Sequence, residues 1–298
     1  MNATLLAVGI SGGLTHSIYS FVSKFLLKKR LASPLQFLVY ISVVQALLTP
    51  VLWLWVPAVL PDAAAWPAIL LAAGTCTIAY FFLYASLSLG DVSSVMPMMG
   101  SKVIFSGFLA HFMLGESHTT AIYLAALLVA ISIAALSYSP RHAQGPSHAG
   151  LAAVLMLACC LIFGLTDIFI KRALAHVDAS NFLVYYNALV AVGTLPVLAL
   201  LRYRKQPLGV TRGDLGLLFL AAGFLMAATL LFVKSFNLAD NVVVPNILVS
   251  TRGVFIVLLT AAASAHSSTR LDAQSRWIFL LRLAASSLLI FAIWLALR

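Results

Sequence analysis

Ten stretches of this chain are nearly free of charge and long enough to cross a bilayer, and that pattern dictates the fold class. Four of them, Pro34–Val56, Trp66–Ser88, Thr119–Tyr138 and Ala179–Leu201, contain no Asp, Glu, Lys or Arg. A helix rises about 1.5 Å per residue and satisfies its own backbone hydrogen bonds, so about 20 apolar residues cross the hydrocarbon core. The other runs are Ala3–Leu27, Val92–Leu114, Ala149–Ala175, Gly213–Leu238, Val242–Ser264 and Gln274–Leu297. Turn residues separate them, as at Ser33-Pro34, Val56-Pro57 and Ala239-Asp240-Asn241. Only 9% of the 298 residues are charged while 62% are hydrophobic, too few polar groups to cover a water-soluble surface. The expected fold is an all-α polytopic membrane protein with ten transmembrane helices.

An internal repeat organises the ten spans. Pro50-Val51-Leu52 recurs as Pro196-Val197-Leu198, and Lys24 has a counterpart in Lys171. Ala72-Ala73-Gly74 recurs as Ala221-Ala222-Gly223, and Ser101-Lys102-Val103-Ile104-Phe105 as Thr251-Arg252-Gly253-Val254-Phe255. Two five-helix halves follow, residues 1–138 and 149–298, joined by a polar linker over 139–148. Each half has an odd number of spans, so the second enters the membrane from the opposite side. Secondary transporters built as inverted repeats place substrate at the midplane between the halves.

Charge sets the expected orientation. The loops after the odd-numbered spans, with adjoining helix ends, hold eleven Lys and Arg, among them Lys28-Lys29-Arg30 and Arg202, Arg204 and Lys205. The other face holds four, Lys171, Arg172, Lys234 and Arg298. Positive loops stay in the cytoplasm, so both termini are expected to be extracytoplasmic, in a bacterial inner membrane. The net charge of +10 is explained by these loops and points to no nucleic acid. Cys76, Cys159 and Cys160 lie inside apolar runs and read as small packing residues, with no metal spacing and no cofactor implied.

The stretch from Ser88 to Glu116 reads Ser-Leu-Gly-Asp-Val, then Met96-Pro97, then Leu114-Gly115-Glu116. With the ten spans and the halved repeat, it resembles the EamA-type members of the drug/metabolite transporter superfamily. The resemblance implies an inverted-repeat exporter or exchanger with a central cavity lined mainly by helices 1, 3, 4, 6, 8 and 9. This chain departs from the family pattern in three ways. Met96 stands where many relatives carry an acidic residue, and the second half has Ala261-Ala262-Ala263-Ser264-Ala265-His266 in place of Leu-Gly-Glu. Typical members also keep both termini in the cytoplasm, opposite to the charge count.

Ionisable groups near the bilayer centre cost about 2.5–3.5 kcal/mol or more and are kept mostly where they face a polar interior. Lys102 and Arg252 are each eleventh in a 23-residue span and are symmetry mates in the repeat. Pro97 and Pro245 precede them and are expected to break their helices, freeing carbonyls at the site. The pair is expected to attract a carboxylate or phosphate, Arg252 by a bidentate contact and Lys102 as a point charge. The competing reading is that each is neutralised internally. Asp167 is either an i,i+4 partner of Lys171, a proton-coupling carboxylate, or the counter-ion of Lys102 or Arg252. His16 heads a polar stripe with Tyr19, and Tyr80, Tyr84 and Asn246 complete the expected substrate-binding set; packing competes as an explanation for His16 and both helix-3 tyrosines.

The expected function is secondary transport of a small anionic or zwitterionic metabolite, such as an amino acid or organic acid, by alternating access. Alternatives are a flippase for a lipid-linked phosphate and an intramembrane enzyme. The enzyme is disfavoured because no nucleophile, base or metal set converges in the sequence. The expected partners are the substrate and the bilayer, and a homodimer is compatible with the chain.

Overall fold

Short polar residues start the helices and prolines interrupt them. The computed structural model describes residues 3–29, 31, 33–89, 96–137, 149–256, 258–259 and 276–296. The linker 139–148, the segment 260–275 and Arg298 lie outside the described residues. Among the described residues the chain forms α1 (Ala3–Lys29), α2 (Pro34–Leu54), α3 (Trp66–Leu89), α4 (Ser101–Leu114), α5 (Thr120–Ser137), α6 (Ala149–Ala173), α7 (Ala179–Tyr203), α8 (Arg212–Leu238), α9 (Val243–Ile256) and α10 (Arg276–Ala296). Ser33 caps α2 by accepting from the Gln36 amide, with Pro34 in the first turn where its missing N–H costs nothing. Asp178 caps α7 through the Ser180 and Asn181 amides, and Thr211 caps α8 through that of Asp214. The two Pro-Val-Leu sites behave alike. α2 tightens to a 3-10 helix from Thr49, and α7 is interrupted at Thr194, just ahead of Pro196.

The helices pair across the two halves. α3 packs on α6 and α7, while α8 packs on α1 and α2. α4 meets α6 as α9 meets α1, α5 meets α10, and α2 meets α7. Adding five to each helix number, counted round the ten, turns the first set of contacts into the second. Small residues let the backbones approach closely, a substitute for the hydrophobic drive that lipid does not supply. Ala72, Ala73, Cys76 and Ala79 of α3 are buried, and Ala79 packs with Ala152, Met156, Cys159 and Cys160 of α6. The three cysteines are free and buried, as packing residues would be.

The outer surface is apolar. Leu47, Phe108, Phe112, Val154 and Ile290 are all more than half exposed. α1, α2, α3, α6, α7 and α8 are each long and apolar enough to cross a bilayer, and α4, α5, α9 and α10 contain shorter apolar stretches. A surface of this kind belongs in lipid.

Candidate functional site

A turn precedes α4 and another divides α9, and a cation follows each. Residues Met96–Gly100 form a 3-10 turn, after which α-helix begins at Ser101. In α9 the helix stops at Val249, turns at Ser250-Thr251 and resumes at Arg252. Lys102 and Arg252 thus each stand in the first turn after a break. The break in α9 is not at Pro245, as the sequence suggested. That proline lies in the first turn of Val243–Val249, where no intrahelical N–H is needed. The hydroxyls cause the turn instead. Ser250 Oγ donates to Asn246 O at 2.7 Å and Thr251 Oγ1 to Leu248 O at 2.8 Å, which competes with the helical ladder. Pro97 falls in the 3-10 turn, and its side chain lies outside the described residues.

α1 reaches this turn through Gly13. A Cβ there would lie 2.1 Å from Thr251 Oγ1 and 3.1 Å from the Arg252 amide, so only glycine allows the approach. Ser17, one turn on, donates to Arg252 O at 2.8 Å and seals the contact.

Asp167 of α6 is the centre of a polar knot. Lys102 Nζ lies 3.1 Å from its Oδ1 and 3.0 Å from its Oδ2. Ser106 Oγ donates to Oδ2 at 2.9 Å and Asn246 Nδ2 at 2.8 Å. The carboxylate is 1% exposed and tied to α4 and α9 at once. The i,i+4 reading with Lys171 is therefore replaced. Lys171 instead donates to Phe236 O and Ala239 O, both at 2.7 Å, closing the C-terminus of α8. Asn246 spends its amide on Asp167 and on Val242 O, so it works as a brace between helices. Lys102 is also covered by aromatic faces, 5.0 Å from the Phe232 centroid and 5.8 Å from Phe163.

Arg252 is placed differently. Its Nη1 donates to His16 Nε2 at 3.3 Å, which requires a neutral imidazole with its lone pair on Nε2. Among the described residues no carboxylate lies within 4.0 Å of the guanidinium. His16 meets Tyr19 edge-on at 5.6 Å. Tyr80 meets Phe163 edge-on at 5.3 Å and stacks on Tyr84 at 6.4 Å. Tyr84 is buried in the packing between α2, α3 and α8, whereas His16, Tyr19, Tyr80, Lys102 and Arg252 keep partial exposure. The sequence-derived residues thus fall into an ion-paired group (Lys102, Asp167, Asn246), a cationic group (Arg252, His16, Tyr19) and an aromatic wall.

Sequence reasoning missed Ser17, Ser106, Phe163 and Phe232. Ser106 lies four residues after Lys102, a spacing that could have flagged it; nothing in the sequence marks the two phenylalanines. It also missed the role of Glu116. The Glu116 carboxylate accepts from the Val242 amide at 3.0 Å, so the end of α4 caps the start of α9. Arg172 Nη2 donates to Met113 O at 2.7 Å beside it. One end of the bundle is thereby held shut across the two halves.

Residues 3–138 match the EamA-like transporter family. Among curated proteins, no sequence matches the chain. Twenty-nine chains of solved structures match, one of them a crystal structure sharing the fold with a TM-score of 0.76. That alignment covers 99% of both chains at 15% sequence identity. The motif and the family match agree: the first half of the chain, residues 3–138, is similar to the EamA-like transporter family, and the whole chain shares its helical fold with the solved structure.

Proposed function

We propose that this protein is a secondary transporter of a small anionic or zwitterionic metabolite, with Arg252 and His16 as its anion-binding centre. One observation carries the proposal. Of the two mid-depth cations, Lys102 is neutralised by Asp167, while Arg252 faces a neutral imidazole with no carboxylate in reach among the described residues. A cation inside a membrane bundle with no anion beside it is open to a ligand's charge, and a substrate carboxylate or phosphate would supply the missing anion. The guanidinium can also grip such a group with two parallel N–H bonds. Tyr19 and Tyr80 flank the centre as wall residues, and Lys102–Asp167 is a pair that a proton could split during coupling.

Alternating access accounts for the closed end. Glu116 to Val242, Arg172 to Met113 and Lys171 to Ala239 join the ends of α4, α6, α8 and α9. Opening that side requires these bonds to part, and the turns at Met96–Gly100 and Ser250-Thr251 supply bending points. The start of α1 and the end of α10 pack near the start of α9, on the side of this latch, and the loop charges favour an extracytoplasmic placement for it.

The test is a thermal-stability screen of purified protein against amino acids, organic acids and phosphorylated metabolites. Anionic or zwitterionic compounds should stabilise the wild type. A charge-assisted hydrogen bond is worth about 1.5–3 kcal/mol, so Arg252→Ala should weaken the best of them at least about tenfold. Unchanged affinity in Arg252→Ala, or stabilisation by lipophilic cations alone, would overturn the assignment.

A further inference from the structure

A cavity lies between the end of α2, the start of α7 and the last turns of α8. Its volume is about 510 Å³, and Leu52, Trp55, Asp178, Ser180, Leu230 and Lys234 are among its lining. Lys234 and Asp178 line the same space without forming an ion pair, and Lys234 has no hydrogen-bond partner among the described residues. Asp178 is only partly spent. Its Oδ1 accepts from the Ser180 and Asn181 amides and its Oδ2 from Asn181 Nδ2. A carboxylate has about four acceptor sites, so one remains for a ligand. The cavity therefore offers one cation and one anion on opposed helices, with an apolar wall between them.

Depth and surroundings point to lipid as the source of the ligand. Lys234 is four residues from Leu238, the last residue of α8. At about 1.5 Å per residue it lies about 6 Å inside the helix end, the level of headgroups and glycerol rather than of acyl chains. Trp55, one of the lining residues, is 76% exposed. Tryptophan at that level marks the membrane interface.

We propose that this cavity binds the headgroup of a zwitterionic phospholipid bearing a primary ammonium, a phosphoethanolamine group. Its phosphate pairs with Lys234, its ammonium donates to Asp178, and its glycerol end lies against Leu52, Trp55 and Leu230. A quaternary ammonium has no N–H to give Asp178, and a glycerol headgroup has no cation, so both bind less well. The site is independent of Arg252, and its test needs no transport substrate.

Native mass spectrometry of the full chain in neutral detergent tests the proposal, with phosphatidylethanolamine, phosphatidylglycerol, phosphatidylcholine and soluble phosphoethanolamine as probes. One phosphatidylethanolamine should bind at least about tenfold tighter than the other two lipids. Lys234→Gln should remove that tight binding. Asp178→Asn keeps the helix cap, since Asn and Asp serve equally there, and should erase the preference over phosphatidylglycerol. Leu230→Trp, which fills the cavity, should also abolish binding, a readout independent of either charge. Equal affinity for the three lipids, or phosphatidylethanolamine binding unchanged in all three variants, would overturn the site. Soluble phosphoethanolamine binding as tightly as the lipid would overturn the lipid assignment.

Discussion

Removing Lys102 and removing Arg252 should have different consequences, because Lys102 is paired with a carboxylate and Arg252, among the described residues, is not. Lys102→Met leaves the Asp167 carboxyl, 1% exposed, with Ser106 and Asn246 as its remaining partners among the described residues. At an N–O separation of 3.0 Å and an effective dielectric of about 20, the lost attraction is about 5 kcal/mol before relaxation. The two remaining donors recover part of it, so the net cost should fall near 3–5 kcal/mol, the range for breaking a buried pair. Lys102→Met combined with Asp167→Asn removes the orphaned charge as well and should be about 2–4 kcal/mol less destabilising than the two single effects added together. Arg252→Met orphans only the neutral Nε2 of His16 and should cost about 1 kcal/mol, while abolishing anion binding. The assay is equilibrium unfolding in detergent micelles of the wild type, the single variants and the double variant. A coupling below about 0.5 kcal/mol between positions 102 and 167 would falsify the ion-pair account. So would an Arg252→Met variant as unstable as Lys102→Met.

Three further outcomes follow from particular contacts. Gly13→Ala places a methyl 2.1 Å from Thr251 Oγ1 and should destabilise by about 1–3 kcal/mol, while Gly74→Ala, with open space around it, should not; equal thermal shifts would count against the close approach of α1 and α9. Glu116→Ala removes an acceptor at the start of α9 and should cost about 0.5–2 kcal/mol, with faster hydrogen exchange at the Val242 amide; unchanged exchange would show that the latch does not hold α9. A cysteine at position 2 should react with an impermeant reagent added outside intact cells, and labelling only after permeabilisation would reverse the orientation.

Much of the architecture was legible because a bilayer imposes a simple code. Apolar runs, loop charge and repeated polar residues are one-dimensional signals, and the helices fall within a few residues of the sequence-derived spans wherever both ends are described; the start of the fourth span and the end of the ninth lie outside the described residues. The repeat also identified Lys102 and Arg252 as counterparts, since a charge in an apolar run cannot be hidden by composition. What sequence could not decide was which partner each would find. Asp167 is four residues from Lys171, and local spacing favours that pair. Packing of α4 and α9 against α6 instead brings Lys102, Ser106 and Asn246 to the carboxylate, and Lys171 turns to the end of α8. The helix breaks show the same division. Proline is visible in sequence, but Pro245 sits harmlessly in a first turn, and the bend comes from hydroxyls bonding back to the helix ladder. Sequence alone yields a helical membrane bundle with two cations inside apolar runs. Packing gives Lys102 a carboxylate and, among the described residues, leaves Arg252 without one, because charge pairing depends on which helix faces which.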